Sequence, residues 1–338
     1  MTDDMLLNAG DEVAGYRITR FINRGGMGAV YEAKQLSLDR RVALKVIARE
    51  LSADERFRDR FRREARAGAA IDHPNILPVY EEGELPGGRL YLALRFVDGP
   101  DLRTLLHDHG PLSVHETVAI LIQVGNALDA AHDHGLVHRD VKPANVLLAR
   151  HGPAWHAFLA DFGLAKPSAE TSEHTLPGEM LGTVDYMAPE RVNGAPADRR
   201  ADIYAFGCMA YCCLTGQPPY KRETRDATLL AHVNAPIPIP SQVIADLPQP
   251  VDIVVARALE KDPAKRAVSA GALMRWVSQQ LGLVATAHST GAGEVLDGDS
   301  VETKTPTPRW RRELRMSLLA ATAYAPIWAG GFLLGRSL

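Results

Sequence analysis

The spacing of apolar residues changes near residue 100, and this change limits the folds that the chain can adopt. Before it, short runs alternate between apolar and polar residues, as half-buried strands do; after it, apolar residues recur at helical spacing. The predicted strands are 16–22, 29–33, 42–47 and 90–97, with a helix at 54–70. Long helical segments follow at 115–134, 201–216 and 250–281. The sequence therefore predicts an α+β fold with a small strand-rich lobe and a helical lobe.

Composition excludes several classes of protein. The chain has 338 residues, of which 46% are hydrophobic and 23% charged, so it is not a disordered or collagen-like chain. A net charge of −3 argues against bulk nucleic-acid binding, which depends on neutralising phosphates. Cys208, Cys212 and Cys213 are too few and too clustered for a disulfide framework or a zinc site, and their apolar helix favours buried thiols in a reducing environment.

A glycine cluster, Gly25, Gly26 and Gly28, separates the first two predicted strands. Glycines let backbone N–H groups approach a polyphosphate, because no Cβ stands in the way. A simple hairpin turn is the alternative. A dinucleotide-binding fingerprint is excluded, since a strand and not a helix follows.

Lys45 lies in the middle of the apolar strand 42–47. It is either an edge residue whose ammonium reaches solvent or a cation directed inward at an anion. Glu64, on the following helix, is a candidate partner that would hold this ammonium over a phosphate; otherwise it is an ordinary solvated glutamate.

The most specific local pattern is the run His138-Arg139-Asp140-Val-Lys142-Pro-Ala-Asn145, followed by Asp161-Phe162-Gly163. Asp161 and the Asn145 amide would supply the oxygen ligands that Mg²⁺ prefers. Asp140 could accept the proton of an attacking hydroxyl, and Lys142 could neutralise charge on a transferring phosphoryl group.

These motifs together resemble the bacterial eukaryotic-like Ser/Thr protein kinases. The resemblance spans about residues 14–280, and its motifs occur in the order of that family. They are the glycine loop, Val42-Ala-Leu-Lys45, Glu64, His138-Arg-Asp140 with Asn145, Asp161-Phe-Gly163, Gly182-Thr183, Ala188-Pro-Glu190, Asp202 and Arg266.

The resemblance implies transfer of the ATP γ-phosphoryl group to protein Ser or Thr hydroxyls, in bacterial signalling. It assigns catalysis to Asp140, Lys142, Lys45 and Glu64, and Mg²⁺ (or Mn²⁺) to Asn145 and Asp161. The implied ATP contacts are Ile22, Asn23, Arg24, Gly25, Gly26, Met27, Gly28, Val30 and Lys45. It also implies that Asp202 anchors the catalytic loop and that Arg266 pairs with Glu190.

Two positions depart from the family pattern. Asn23 replaces the first glycine of the loop, and asparagine tolerates left-handed backbone better than most residues. Arg95 stands in the segment linking the lobes, where the family usually has an acid. Backbone groups normally hold the adenine there, so nucleotide binding is expected to survive this change.

The resemblance also implies regulation. In the family an arginine at the position of Arg139 pairs with a phosphorylated activation loop. Thr175 is the main candidate for that phosphate, and Thr171 and Ser172 are weaker candidates. A transient homodimer would permit autophosphorylation in trans.

The ends of the chain carry separate predictions. Residues 1–13 form a flexible N-terminus without a secretory signal, 14–281 the kinase domain, and 282–315 a linker with a basic juxtamembrane segment. The uncharged stretch 316–335 is long enough to cross a bilayer, and the arginines before it would keep the kinase domain in the cytoplasm. The predictions are a single-pass tail anchor in the cell membrane and no extracellular sensor domain. A helix docked on the kinase lobe is the alternative.

Two other functions fit parts of the pattern. A pseudokinase would bind nucleotide without transferring phosphate, and Asn23 is the feature in its favour. A small-molecule phosphotransferase is disfavoured by the full activation segment from Asp161 to Glu190. Among the histidines, the pairs His107/His109 and His132/His134 are predicted to be solvated, not metal-bound.

Overall fold

A computed structural model of the chain describes residues 7–162 and 184–283. All of them belong to the first of two units into which the chain divides, Met1–Thr286. Gly163, Thr171, Ser172, Thr175, Gly182 and Thr183 lie outside the described residues, as do residues 316–335. Among the described residues, no helix combines the length and the apolar character needed to cross a bilayer.

The small lobe is built on a six-stranded antiparallel sheet with the order β1-β2-β3-β4-β6-β5. The strands are β1 (Glu12–Val13), β2 (Tyr16–Gly25), β3 (Gly28–Gln35), β4 (Arg40–Ile47), β5 (Val79–Glu84) and β6 (Leu90–Arg95). The helices α1 (Arg49–Ala53) and α2 (Glu55–Ala69) lie between β4 and β5 in the chain. The chain therefore re-enters the sheet at its edge, and β6 pairs with β4.

Helix α2 packs through a stripe of residues four apart. Phe57, Phe61 and Ala65 are buried in one cluster with Leu90 and Leu92 of the sheet. The helix begins after Asp54, whose side chain accepts a hydrogen bond from the Arg56 N–H. This packing fixes the rotation of the helix and turns Glu64 inward.

Within residues 101–162 and 184–283, the second lobe is helical except for one hairpin. Its helices are α3 (Leu102–His109), α4 (Val114–Asp133), α5 (Pro189–Val192), α6 (Arg199–Thr215), α7 (Arg225–Asn234), α8 (Gln249–Ala258) and α9 (Ala270–Gln280). The hairpin of β7 (Val146–His151) and β8 (Ala154–Leu159) follows residues 138–145, which the resemblance assigns as the catalytic loop. Helix α6 is buried along almost its whole length, because its sequence is apolar on every side.

Close helix contacts depend on glycine. A Cβ on Gly125 of α4 would lie 2.7 Å from the backbone nitrogen of Gly271 in α9. A Cβ on Gly207 of α6 would lie 2.5 Å from the Cβ of Ala258 in α8. These approaches bring α4, α6, α8 and α9 into one core around the catalytic loop.

The continuous helical segment predicted at 250–281 is wrong. The chain forms α8 and α9 with a 3-10 turn, Pro263–Lys265, between them. Proline cannot donate a hydrogen bond to the helix ladder, so Pro263 prevents the pattern from continuing. The prediction of buried thiols is confirmed, since all three cysteines are buried and burial raises the pKa of each.

Candidate active site

The catalytic loop is held by the carboxylate of Asp202 near the start of α6. This carboxylate accepts hydrogen bonds from the backbone N–H groups of His138 (2.7 Å) and Arg139 (2.8 Å). Arg139 has a left-handed φ of 65°. Such backbone is unfavourable for a residue with a Cβ, so it needs the fixed acceptor that Asp202 provides.

His138 connects this loop to the segment that begins at Asp161. The side chain is fully buried, and burial lowers the pKa of the imidazole, which stays neutral. Its Nε2–H donates to the Ala160 carbonyl (2.9 Å), and its Nδ1 accepts from the Asp140 N–H (3.3 Å). One neutral ring therefore sets the spacing between the two motifs.

Asp140 lies between two nitrogen donors. Lys142 Nζ is 2.7 Å from Asp140 Oδ2, and Asn145 Nδ2 donates to the Asp140 carbonyl oxygen (2.8 Å) and to Oδ2 (3.2 Å). These contacts orient the carboxylate and keep the lysine charge beside it. Because the Asn145 nitrogen is used in this way, its amide oxygen is directed elsewhere.

Lys45 points into the space between the lobes. Its side chain is 8% exposed, and its Nζ lies 2.7 Å from Asp161 Oδ1. The interpretation of Lys45 as an inward-directed cation is the one that the structure supports. Asp161 has a φ of 61°, a second left-handed residue next to the predicted metal position.

The expected Lys45–Glu64 ion pair is absent from the described residues. Glu64 Oε1 instead accepts a hydrogen bond from Arg139 Nη1 at 2.7 Å, while Lys45 pairs with Asp161. The Glu64 side chain is 9% exposed, and burial raises the pKa of its carboxyl against the opposing effect of Arg139. Its other oxygen, Oε2, has no hydrogen-bond partner among the described residues.

The glycine cluster forms the turn of the β2–β3 hairpin. Gly25 pairs with Gly28, and the register shifts between Phe21 and Asn23, so an irregularity falls at the position that departs from the family. Gly28 has a φ of 143°, and a Cβ there would lie 2.0 Å from the Val46 carbonyl oxygen. The turn therefore lies directly against the strand that carries Lys45.

The remaining predicted ATP contacts lie in the same hairpin. Ile22 and Arg24 belong to β2, Gly26 and Met27 form the turn, and Val30 of β3 pairs in register with Lys45. The Met27 carbonyl accepts a hydrogen bond from the Ala48 N–H (2.8 Å).

Comparison with known proteins identifies the family to which this arrangement of residues belongs. Residues 16–277 match the protein kinase domain family. The chain belongs to this family. Its kinase domain is of the bacterial Ser/Thr type, because it is 43% identical over 300 residues to Serine/threonine-protein kinase PknE of Mycobacterium tuberculosis and 42% identical over 274 residues to PknH.

The extent of these matches differs between the proteins. The alignments cover 88% and 81% of this chain, but 51% of PknE and 43% of PknH. The chain thus spans about half the length of the curated relatives it matches. The crystal structure of the Mycobacterium tuberculosis PknI kinase domain superposes with a TM-score of 0.65 at 36% identity, covering 81% of this chain and all of that one.

The kinase domain contains the structural ion pair that the resemblance implies. Arg266, with a side chain that is completely buried, donates from both terminal nitrogens to the two carboxylate oxygens of Glu190, at 2.5 and 2.6 Å. Such a two-point contact fixes the end of the activation segment to the core of the helical lobe.

One sequence prediction is wrong, and one departure from the family pattern has a structural partner. His132 is not solvated: its side chain is 5% exposed and its Nε2–H donates to Asp202 Oδ2 at 2.8 Å, so it supports the anchor of the catalytic loop. Its place four residues after the buried Leu128 on α4 was the available signal. Arg95 has a structural partner, since its guanidinium lies over the Phe158 ring at 4.8 Å.

Proposed function

We propose that the protein is a Ser/Thr protein kinase that transfers the ATP γ-phosphoryl group to protein hydroxyls. The observation that carries the proposal is the Lys45–Asp161 ion pair of 2.7 Å, which joins the small lobe to the segment beside the catalytic loop. A lysine and an acid on opposite lobes suit the two needs of phosphoryl transfer, a cation for the phosphates and an oxygen ligand for a metal.

The chemistry follows from the positions of the charged groups. Asp140 would orient the substrate hydroxyl and accept its proton, since its carboxylate is held in place by Lys142 and Asn145. Lys142 would stabilise negative charge on the phosphoryl group as it moves towards the hydroxyl. Lys45 would hold the phosphates on the other side of the transferred group.

The side chains at the predicted metal position fit Mg²⁺. The Asn145 amide oxygen and the Asp161 carboxylate are hard oxygen donors, and the Asp161 side chain is 38% exposed and so reachable. Mn²⁺ accepts the same donors. When bound, the ion would neutralise charge on the phosphates; the protein's own residues orient the hydroxyl and take up its proton.

We also propose activation by phosphorylation of Thr175, with Thr171 and Ser172 as the other candidates, through a transient homodimer. Arg139 holds Glu64 at 2.7 Å. A phosphate carries nearly two negative charges and would compete for this guanidinium. Glu64, once released, could pair with Lys45 and leave Asp161 available for a metal.

Residues 316–335 are proposed as an anchor in the cell membrane with the kinase domain in the cytoplasm. The stretch carries no charge over twenty residues, and Arg309, Arg311, Arg312 and Arg315 precede it.

Label transfer from ATP tests the proposed activity. With Mg²⁺ and labelled ATP, the purified full chain is expected to phosphorylate itself or an added protein. Asp161→Asn and Lys45→Met are expected to reduce this rate by about a hundredfold or more, since one charged group at a transfer site contributes roughly 3 kcal/mol. Lys34→Met is the control, because Lys34 lies on the adjacent strand and pairs with Asp39.

Near wild-type label transfer by Asp161→Asn would contradict the assignment. Nucleotide binding by the wild type without any label transfer would support the pseudokinase alternative.

A further inference from the structure

Arg41 lies on the face of the sheet that carries Lys45. The two residues are four apart in β4, and side chains of a strand alternate between its faces, so Arg41, Ala43 and Lys45 share one face. That face is directed at the cleft, because Lys45 reaches Asp161 from it. Arg41 therefore stands on the roof of the cleft, at the end of β4 farther from the phosphate-binding lysine.

The guanidinium of Arg41 is fixed on the sheet side by a buried acid. Its Nε donates to Glu32 Oε1 at 2.8 Å, and Arg20 Nε donates to the other oxygen of Glu32 at the same distance. The Glu32 side chain is 8% exposed, so this carboxylate is largely removed from water and has two cationic donors. An acid held in this way restricts the orientation of Arg41.

The other side of the guanidinium contacts the segment that links the lobes. It lies over the Phe96 ring at 4.1 Å, and its Nη1 is 3.2 Å from Asp98 Oδ2. The hydrogen-bonded register of β4 with β6 ends at the pair Val42–Arg95. Beyond that pair, the side chain of Arg41 continues the connection between strand and linking segment.

We propose that Arg41 is a positioning residue for the nucleotide. It holds the linking segment, residues 96–98, against the sheet that forms the roof of the cleft. In this way it sets the width of the space between segment and sheet in which the adenine would bind. This inference rests on the proposed function, in which ATP occupies that cleft. Arg41 acts through Phe96 and Asp98, and the purine is the part of the nucleotide affected. The ion pair with Asp98 contributes least, since the Asp98 side chain is 83% exposed.

Binding of a series of adenine ligands to the full chain tests the proposal. Calorimetric titration would compare adenosine, ADP and ATP with Mg²⁺ on the wild type and on Arg41→Gln. We expect the Kd of all three ligands to rise by the same factor of about five, as for loss of one cation–π contact and one exposed ion pair. In turnover assays, the KM for ATP is expected to rise by that factor while kcat changes less.

The adenosine arm separates this role from simple attraction of an anion by a cation. If Arg41 acted only through its positive charge, ATP would lose the most affinity and uncharged adenosine none, and that result would overturn the proposal. Arg41→Lys keeps the charge but not the planar two-sided contact, so it is expected to restore less than half of the lost affinity.

Control measurements distinguish loss of the Arg41 contact from unfolding and from failure of the proposed kinase function. Arg17→Gln removes another exposed arginine of the sheet, which pairs with Glu12 at 2.7 Å, and is expected to leave every Kd unchanged. The thermal midpoint of ligand-free Arg41→Gln protein shows whether the fold is retained. Failure of the proposed kinase function would appear in the wild type as absent label transfer, whereas failure of this inference would appear as equal adenosine affinity in wild type and Arg41→Gln.

Discussion

His232 shows how burial of a single side chain makes stability depend on pH. The residue is fully buried, its Nδ1 accepts from the Tyr204 hydroxyl at 2.9 Å, and Lys261 Nζ binds its carbonyl at 2.7 Å. Burial, and then the charge of Lys261, lower the pKa of the imidazole from 6.5 to about 4. Between these two values, His232 is therefore neutral in the folded protein and protonated in the unfolded chain.

We predict that His232 destabilises the fold as the pH falls from about 6.5 towards 4. Because its pKa is lower in the folded state, unfolding takes up a proton in this range, and the free energy of unfolding loses up to about 1.4 kcal/mol per pH unit. Urea unfolding at pH 7, 6 and 5 should show a smaller pH slope for His232→Gln than for the wild type. His107→Gln removes an exposed histidine and should keep the wild-type slope; identical slopes in all three proteins would contradict the prediction.

At the scale of elements, the position of α2 decides which partner Glu64 takes. The helix is fixed by Phe57 and Phe61 against the sheet, and its acid contacts Arg139 of the catalytic loop across the two lobes. Exchange of Glu64 from Arg139 to Lys45 requires a movement of the whole helix, since its apolar stripe and its acid are parts of one rigid element.

Arg139→Gln is expected to uncouple activity from phosphorylation. The substitution removes both the cation that holds Glu64 and the proposed receptor for the phosphate. Phosphatase-treated wild type should gain about tenfold in peptide phosphorylation after incubation with ATP, which corresponds to roughly 1.4 kcal/mol from a charge-assisted contact. Arg139→Gln should show no such gain, at a basal rate no lower than that of the treated wild type.

Arg150→Gln is the matched control for this experiment, because Arg150 stacks on Trp155 in the β7–β8 hairpin. It should respond to ATP as the wild type does. A full tenfold gain in Arg139→Gln would exclude Arg139 as the receptor.

At the scale of the whole molecule, a kinase domain of 262 matched residues is followed by a polar stretch and an uncharged one. Fractionation of cells that express the full chain or a version ending at Pro308 tests the proposed anchor. The full chain is expected in the membrane fraction and released by detergent, whereas the shorter version is expected in the soluble fraction. Full-length protein that stays soluble without detergent would reject the anchor, and so would equal membrane recovery of both versions.

Features that depend on local order along the chain could be predicted from the residues alone. The change from strand to helix periodicity predicted the two lobes, and the spacing of Asp140, Lys142 and Asn145 brought these side chains together within one short loop. Buried cysteines followed from an apolar helix. Each of these depends on residues close in sequence, where geometry leaves few alternatives.

Contacts between residues far apart in the sequence depend on how the helices and strands pack. The packing of α2 brings Glu64 to Arg139, whereas Lys45 pairs with Asp161. His132 supports the anchor of the catalytic loop because α4 packs beside Asp202. Arg41 contacts Phe96 because the pairing of β4 with β6 ends at the point where the linking segment leaves the sheet. Pairings of this kind are set by how packed elements are oriented in space, and residue type and spacing do not specify that orientation.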